Sequence, residues 1–284
     1  MIAITGANGQ LGCLVIQSLL KRVPAGQLIA LVRTPEKAED LKEQGIEVRQ
    51  ADYNRPETLA PALAGADKLL LISGSEVGQR VPQHKAVIEA AREAGVKLLA
   101  YTSILKADRS PLALAGEHKV TEQMIAESGI AAVMLRNGWY TENYSAQAPG
   151  LVEMGAVAGA AAEGRLATAA REDYAEAAAV VLTSEENQAG KVYELAGSQA
   201  FTLAEFAEEL ARQSGKKVEF APMSQSEFTG VLVGAGLPEG FAAALADAEA
   251  HAANGWLFDD GGDLERLLGR KSQSLAVAVE RGLA

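Results

Sequence analysis

Three glycines at three-residue intervals, Gly6, Gly9 and Gly12, lie between a short apolar run, Ile2–Thr5, and an amphipathic stretch. That spacing fits a phosphate-binding turn. Gly6 would permit a tight exit from a strand. Gly9 would let the backbone approach a pyrophosphate with no Cβ in the way, and Gly12 would let the next helix pack closely on the sheet. Ala7, Asn8, Gln10 and Leu11 complete the turn. A helix opening here offers free N–H groups and a partial positive charge to phosphates. A glycine motif alone is weak evidence, and its weight comes from the strand–turn–helix context at residue 6. The chemistry expected is dinucleotide binding.

The next informative position is Arg33. NAD-preferring folds end the second strand in an Asp or Glu that binds the ribose 2′-hydroxyl. Here that strand ends Ala30-Leu31-Val32-Arg33, with no acid. A guanidinium forks onto a phosphate through two N–H donors, so NADPH is the expected cofactor. The competing reading is an arginine on a solvated loop.

In open parallel sheets ligands gather at the carboxyl ends of strands. Ser73-Gly74-Ser75 follows the fourth strand and is small and polar, suited to lining a ribose. Asp52 ends the third strand, where it either approaches the adenine or caps a loop. The sixth strand runs into Arg136-Asn137-Gly138-Trp139-Tyr140-Thr141-Glu142-Asn143. Its aromatic faces and amides suit a flat ligand, and the rings suit a domain interface equally well. His118 and Glu122 stand four apart on one helical face, the spacing of a surface pair.

These positions need a scaffold, and the first half supplies one. Apolar runs at Ile2–Thr5, Leu28–Arg33, Ile46–Gln50, Lys68–Ser73, Lys97–Thr102 and Ala132–Arg136 alternate with helical periodicity near 10–21, 35–44, 55–64, 82–94 and 116–128. That alternation predicts consecutive βαβ units in a doubly wound, Rossmann-type parallel sheet. Thr34-Pro35-Glu36 and Asn54-Arg55-Pro56-Glu57 read as helix openings, and Gly45, Gly65, Gly95 and Gly129 as helix stops. Past residue 150 the rhythm changes to a smaller, mostly helical part that would form the substrate cleft. Residues 165–195 would pack back on the first part. Gly155–Ala170, with a turn near Glu163-Gly164, reads as a loose hairpin or loop. Helices are expected over Asp173–Thr183, Leu203–Gln213, 225–235, 238–253 and 263–268, with strands at Val192–Leu195 and Val218–Ala221.

Composition narrows the partners. A net charge of −11 over 284 residues repels phosphate backbones, which argues against nucleic acid. Three histidines and one cysteine, Cys13, form no metal-ligand cluster and permit no intrachain disulfide. No apolar run reaches a membrane span, and no charged leader precedes the first strand, so a cytoplasmic location is expected. A homodimer is the commonest soluble assembly.

Together, GANGQLG, Arg33, LLLISGSEVGQR, AYTS, LRNGWYTENY and REDYAEAAA resemble the NmrA-like, atypical branch of the short-chain dehydrogenase/reductases. Within it they are similar to the bacterial type 2 NAD(P)H:quinone oxidoreductases, over essentially the whole chain. The resemblance implies that Gly6 to Leu11 wrap the pyrophosphate and Arg33 holds the 2′-phosphate. It implies that Ser73 to Ser75 pass the ribose, that Asn137 to Glu142 line the nicotinamide side, and that Arg171 reaches toward the cofactor. The chain departs from the wider superfamily by lacking Tyr-x-x-x-Lys on the helix after the fifth strand. His118 and Glu122 would take those places, and His118 and Tyr140 are the candidate catalytic side chains. Without the tyrosine, alcohol–ketone chemistry lacks its proton donor. A quinone is less demanding, because its reduced anion is a phenolate, whose acid has a pKa near ~10. The expectation is flavin-free hydride transfer from NADPH to a quinone or similar planar acceptor. The alternatives are a triarylmethane-dye-type reductase and a non-catalytic NADP(H) sensor.

Overall fold

The computed structural model describes residues 1–284. Its strands are β1 (Ile2–Thr5), β2 (Leu28–Val32), β3 (Glu47–Gln50), β4 (Lys68–Leu71), β5 (Leu98–Ile104), β6 (Ala132–Asn137), β7 (Ala156–Gly159), β8 (Val192–Leu195) and β9 (Glu219–Pro222). The helices between β1 and β6 are α1 (Gln10–Leu20), α2 (Glu39–Glu43), α3 (Leu59–Leu63), α4 (Arg80–Glu93) and α5 (Ala115–Ser128). Then come α6 (Glu142–Ser145), α7 (Ala148–Met154), α8 (Arg171–Thr183), α9 (Leu203–Ser214), α10 (Gln225–Gly234), α11 (Glu239–Ala252), α12 (Asp263–Leu268) and α13 (Leu275–Leu283).

Seven strands form one sheet in the order β3-β2-β1-β4-β5-β6-β8. The reversal at β1–β4, where β1 pairs in parallel with both β2 and β4, is the Rossmann switch point, and the glycine turn leaves the sheet there. The expected doubly wound class is the observed one. Every residue of β1 and β2 is buried, as strands covered on both faces require. Ala3, Ile29, Leu31, Leu69, Leu71, Leu99 and Tyr101 share one core cluster with α3, α4 and Ile125 of α5. The edge strand β3, by contrast, has no fully buried residue.

Contacts divide the chain into two units. The first comprises Met1–Ile104, Glu117–Arg136 and Tyr174–Tyr193, and the second comprises Leu105–Gly116, Asn137–Asp173 and Glu194–Ala284. In the second unit β7 and β9 form a separate parallel pair, with Ala156 opposite Glu219. Capping boxes open α9 at Thr202/Glu205 and α10 at Ser224/Glu227. No helix is long and apolar enough to cross a membrane.

Several local expectations need correction. Gly155–Ala170 is no hairpin: it contains β7, whose partner β9 comes much later in the chain, and Leu166 bridges Phe201. Thr34 and Asn54 make no side-chain cap, and both prolines open short 3₁₀ turns ahead of α2 and α3. The stops at Gly45, Gly65, Gly95 and Gly129 hold, with φ between 74° and 82°. Strand β4 ends at Leu71 rather than Ser73, because the next backbone donors turn to side chains.

Candidate functional site

The turn after β1 is built from its own backbone. Gly6 takes φ +57°, Gly9 N–H donates to Gly6 O at 2.8 Å, and Cys13 N–H donates to Gly9 O to begin α1. Ala7 is fully buried and its N–H donates to Leu31 O, which ties the turn to β2. A Cβ on Gly9 would stand 3.1 Å from Gly6 O. A Cβ on Gly12 would overlap Gly6 O and approach Ala7 Cα to 2.8 Å. The third glycine therefore accommodates the turn itself, not the sheet as its spacing suggests. Without that closeness α1 could not aim its first N–H groups along the turn.

The loop after β4 is pinned donor by donor. Ile72 N–H donates to Thr5 Oγ1 (2.9 Å), Ser73 N–H to Thr102 Oγ1 (2.9 Å) and Gly74 N–H to His84 Nε2 (3.0 Å). Tyr53 Oη donates to Ile72 O and Arg80 Nε to Gly74 O. Three successive donors thus leave the sheet ladder for side chains of β1, β5 and α4. A Cβ on Gly74 would stand 2.9 Å from Gln83 Oε1, so the Gln83 side chain would have to shift to admit it. Glu117 closes the far end of the segment by accepting from Gly78 N–H and Arg80 N–H.

These two loops and the end of β2 enclose a cavity of about 430 Å³. It is lined by Gly6, Asn8 to Gly12, Arg33, Ala51 to Asn54, Ile72 to Glu76 and Gln83. Every first-unit residue anticipated for the cofactor is on that wall except Ala7, which is buried. Tyr53, Asn54, Glu76 and Gln83 were not anticipated; the first three follow strand ends by a few residues. Asp52 caps its loop, its Oδ1 accepting from Asn54 N–H, and also lines the cavity.

Asn137, Gly138, Trp139, Tyr140, Thr141, Glu142 and Arg171 lie in the second unit. The structure brings three of these together. The Arg171 guanidinium sits 4.5 Å above the Tyr140 ring, its Nη1 is 3.7 Å from Glu142 Oε2, and the Arg171 backbone N–H donates to Glu142 Oε1. Asn137 Oδ1 is buried with no hydrogen-bond partner. A buried amide oxygen without a donor is costly in a finished core and suits a site that receives one from a ligand.

His118 and Glu122 are not a pair, on the surface or otherwise. His118 is buried, with Nδ1 2.7 Å from Tyr101 Oη and Nε2 3.5 Å from Arg80 Nη1. Glu122 instead accepts a bidentate fork from Arg136 and a hydrogen bond from Ser103 Oγ. Burial, reinforced by Arg80, holds His118 down to about 3 and His84 down to about 4. Both rings are therefore neutral at pH 7. His84 accepts at Nε2, so its proton is on Nδ1, facing Thr121 Oγ1. A neutral, fully engaged His118 is a poor general acid and a good brace for Arg80.

This arrangement fixes an acid sensitivity. Both histidines have folded values below the ordinary 6.5, so their contribution is complete above that pH and is lost as pH falls toward 4. Glu249, buried in the second unit, is pushed by burial up to about 7, against the Ala160 N–H that it accepts. Its contribution is present below about 4.5 and is lost as pH rises through 7. Two histidines against one carboxyl leave a net loss of stability on acidification from 6.5 to 4. Thermal unfolding should show the melting temperature falling across that window, and His84→Gln should flatten the fall. An unchanged slope in the variant would contradict the assignment.

Residues 6–185 match the NAD(P)H-binding family. The chain is 56% identical over 279 residues to quinone oxidoreductase 2 of Escherichia coli (strain K12), covering 98% of this chain and 97% of that one. It superposes on the crystal structure of the NADPH-dependent quinone oxidoreductase from Escherichia coli complexed with NADPH, with TM-score 0.96, 56% identity and 99% of each chain covered. It also superposes on the Citrobacter sp. triphenylmethane reductase complexed with NADP(H), with TM-score 0.95, 43% identity and 100% of both chains covered. The glycine turn, the family match over residues 6–185 and these full-length relatives together place the chain in the NAD(P)H-binding family.

Proposed function

We propose that this protein is an NADPH-dependent reductase that passes a hydride directly to a quinone or similar planar acceptor, without flavin. The observation that carries the reading is the shared wall on which the glycine turn and the Arg33 guanidinium meet. When bound, the dinucleotide supplies a hydride from its reduced nicotinamide ring. The chain's own residues bind and orient. The α1 N-terminus and the turn from Gly6 to Leu11 hold the pyrophosphate. Arg33 forks onto the 2′-phosphate, and Ser73 to Ser75 pass the ribose on a loop too pinned to drift. In the second unit, the buried Asn137 Oδ1, without a donor, would suit an amide-bearing flat ring.

No buried acid is needed. Hydride attack on a quinone leaves a phenolate whose acid has a pKa near ~10, which water can protonate. Positioning is then the main requirement, which agrees with a neutral His118. The full-length likeness to the triphenylmethane reductase favours a second acceptor class. A triarylmethane cation takes a hydride and needs no proton at all.

The test is NADPH oxidation by purified, flavin-free protein against a panel of quinones and triarylmethane dyes. Oxidation by quinones supports the first reading, oxidation by dyes alone supports the second, and oxidation by neither overturns both. Arg33→Ala should raise KM for NADPH roughly tenfold or more, the equivalent of one lost charge-assisted fork, and leave NADH nearly unchanged. Equal effects on the two would remove Arg33 from the 2′ site.

A further inference from the structure

The cofactor cavity holds a carboxylate that a 2′-phosphate does not call for. Glu76 lies on the wall beside Arg33, with Oε1 3.4 Å from Arg33 Nη1. Its Oε2 accepts from Gln83 Nε2 at 3.0 Å and from Asn54 Nδ2 at 3.4 Å. Gln83 is buried and also donates to Asn54 Oδ1, so the group holding the carboxylate is itself fixed. Donors from the end of β2, the loop after β3 and α4 thus hold one carboxylate at the wall where a ribose 2′ group would meet Arg33. In NAD-preferring folds an acid that ends the second strand accepts the 2′-hydroxyl. This chain has Arg33 there instead, and its acid arrives from the loop after β4.

We propose that Glu76 is a specificity-determining residue that accepts the ribose 2′-hydroxyl of NADH, so that Arg33 and Glu76 read the 2′ position in opposite senses. The proposal rests on the dinucleotide reading above. A 2′-phosphate must draw Arg33 away from Glu76 and place its negative charge near a carboxylate. A 2′-hydroxyl leaves the pair intact and donates to the carboxylate. NADH is therefore a working cofactor, and the preference for NADPH is narrower than Arg33 alone would set.

The test measures binding of NADPH and NADH separately, by nicotinamide fluorescence, to the unmodified protein, Glu76→Gln and Glu76→Ala. Removing one charge near a phosphate at largely aqueous dielectric should tighten NADPH roughly three- to tenfold in both variants. NADH should weaken in both, and more in the alanine variant, which lacks any acceptor, by roughly tenfold. The ratio of the two affinities thus moves in one direction. If Glu76 only braces Gln83 and Asn54, both cofactors shift together, and that result overturns the proposal. If the unmodified protein binds neither nucleotide, the dinucleotide reading fails and the proposal falls with it. Binding of both with no change in ratio defeats the proposal alone.

Discussion

Replacing Gly12 by alanine should weaken NADPH binding by roughly a hundredfold while the protein stays folded. The added Cβ would overlap Gly6 O and approach Ala7 Cα to 2.8 Å. Both neighbours are backbone, so no rotamer change can relieve the contact. Either the turn opens or α1 shifts, and in both cases the N–H groups of the helix start leave the position that the phosphates need. Gly116→Ala is the matched control. Gly116 lies in α5, and a Cβ added there would meet nothing within 4 Å, so alanine should leave binding unchanged and stabilise by about 0.4–1 kcal/mol. Equilibrium titration with NADPH and thermal unfolding check both variants. Wild-type affinity in Gly12→Ala would mean that the turn is not where the phosphates bind.

Glu122→Ala should strongly destabilise the first unit. The carboxylate accepts Arg136 Nε at 2.9 Å and Nη2 at 2.7 Å, with both side chains largely buried. It also satisfies Ser103 Oγ at 2.6 Å. Its removal takes the bidentate carboxylate from a largely buried guanidinium and the acceptor from Ser103 Oγ, which costs about 3–5 kcal/mol. For a chain of this size that corresponds to a fall in melting temperature of roughly 6–20 °C. The variant also separates two roles. If Glu122 braces the ends of β5 and β6, stability collapses and the folded fraction still turns over at low temperature. If Glu122 served a proton relay with His118, kcat would fall while the melting temperature held.

The parts of this molecule written locally in the sequence were legible. The turn from Gly6 to Gly12 announces itself because strand, glycines and helix are consecutive, and the glycine stops mark helix ends in the same way. Arg33 was readable for the same reason, as the last residue of an apolar run. Strand β7 was not, because its alanines and glycine carry little β signal and its partner is β9, far along the chain. The true setting of His118 was hidden by its own stripe. Ala115, His118, Thr121 and Ile125 form the buried face of α5, and two of the four are polar, so hydrophobic periodicity passes over them. Glu122 looked like the partner of His118 at four-residue spacing, yet Arg136 on β6 outcompetes a neutral imidazole as a partner. Glu76 was missed because the acid expected at the 2′ site belongs to β2, and here it comes from a loop that only the fold brings alongside.

The central claim, direct hydride transfer from the dinucleotide to a planar acceptor, is tested most directly by single-turnover mixing. Flavin-free protein loaded with NADPH deuterated on one or the other face of the nicotinamide C4 is mixed with a benzoquinone, and nicotinamide absorbance is followed. The account predicts oxidation in step with quinone reduction, slowed by deuterium on one face only. Oxidation that requires added flavin, or no oxidation at all, would contradict it.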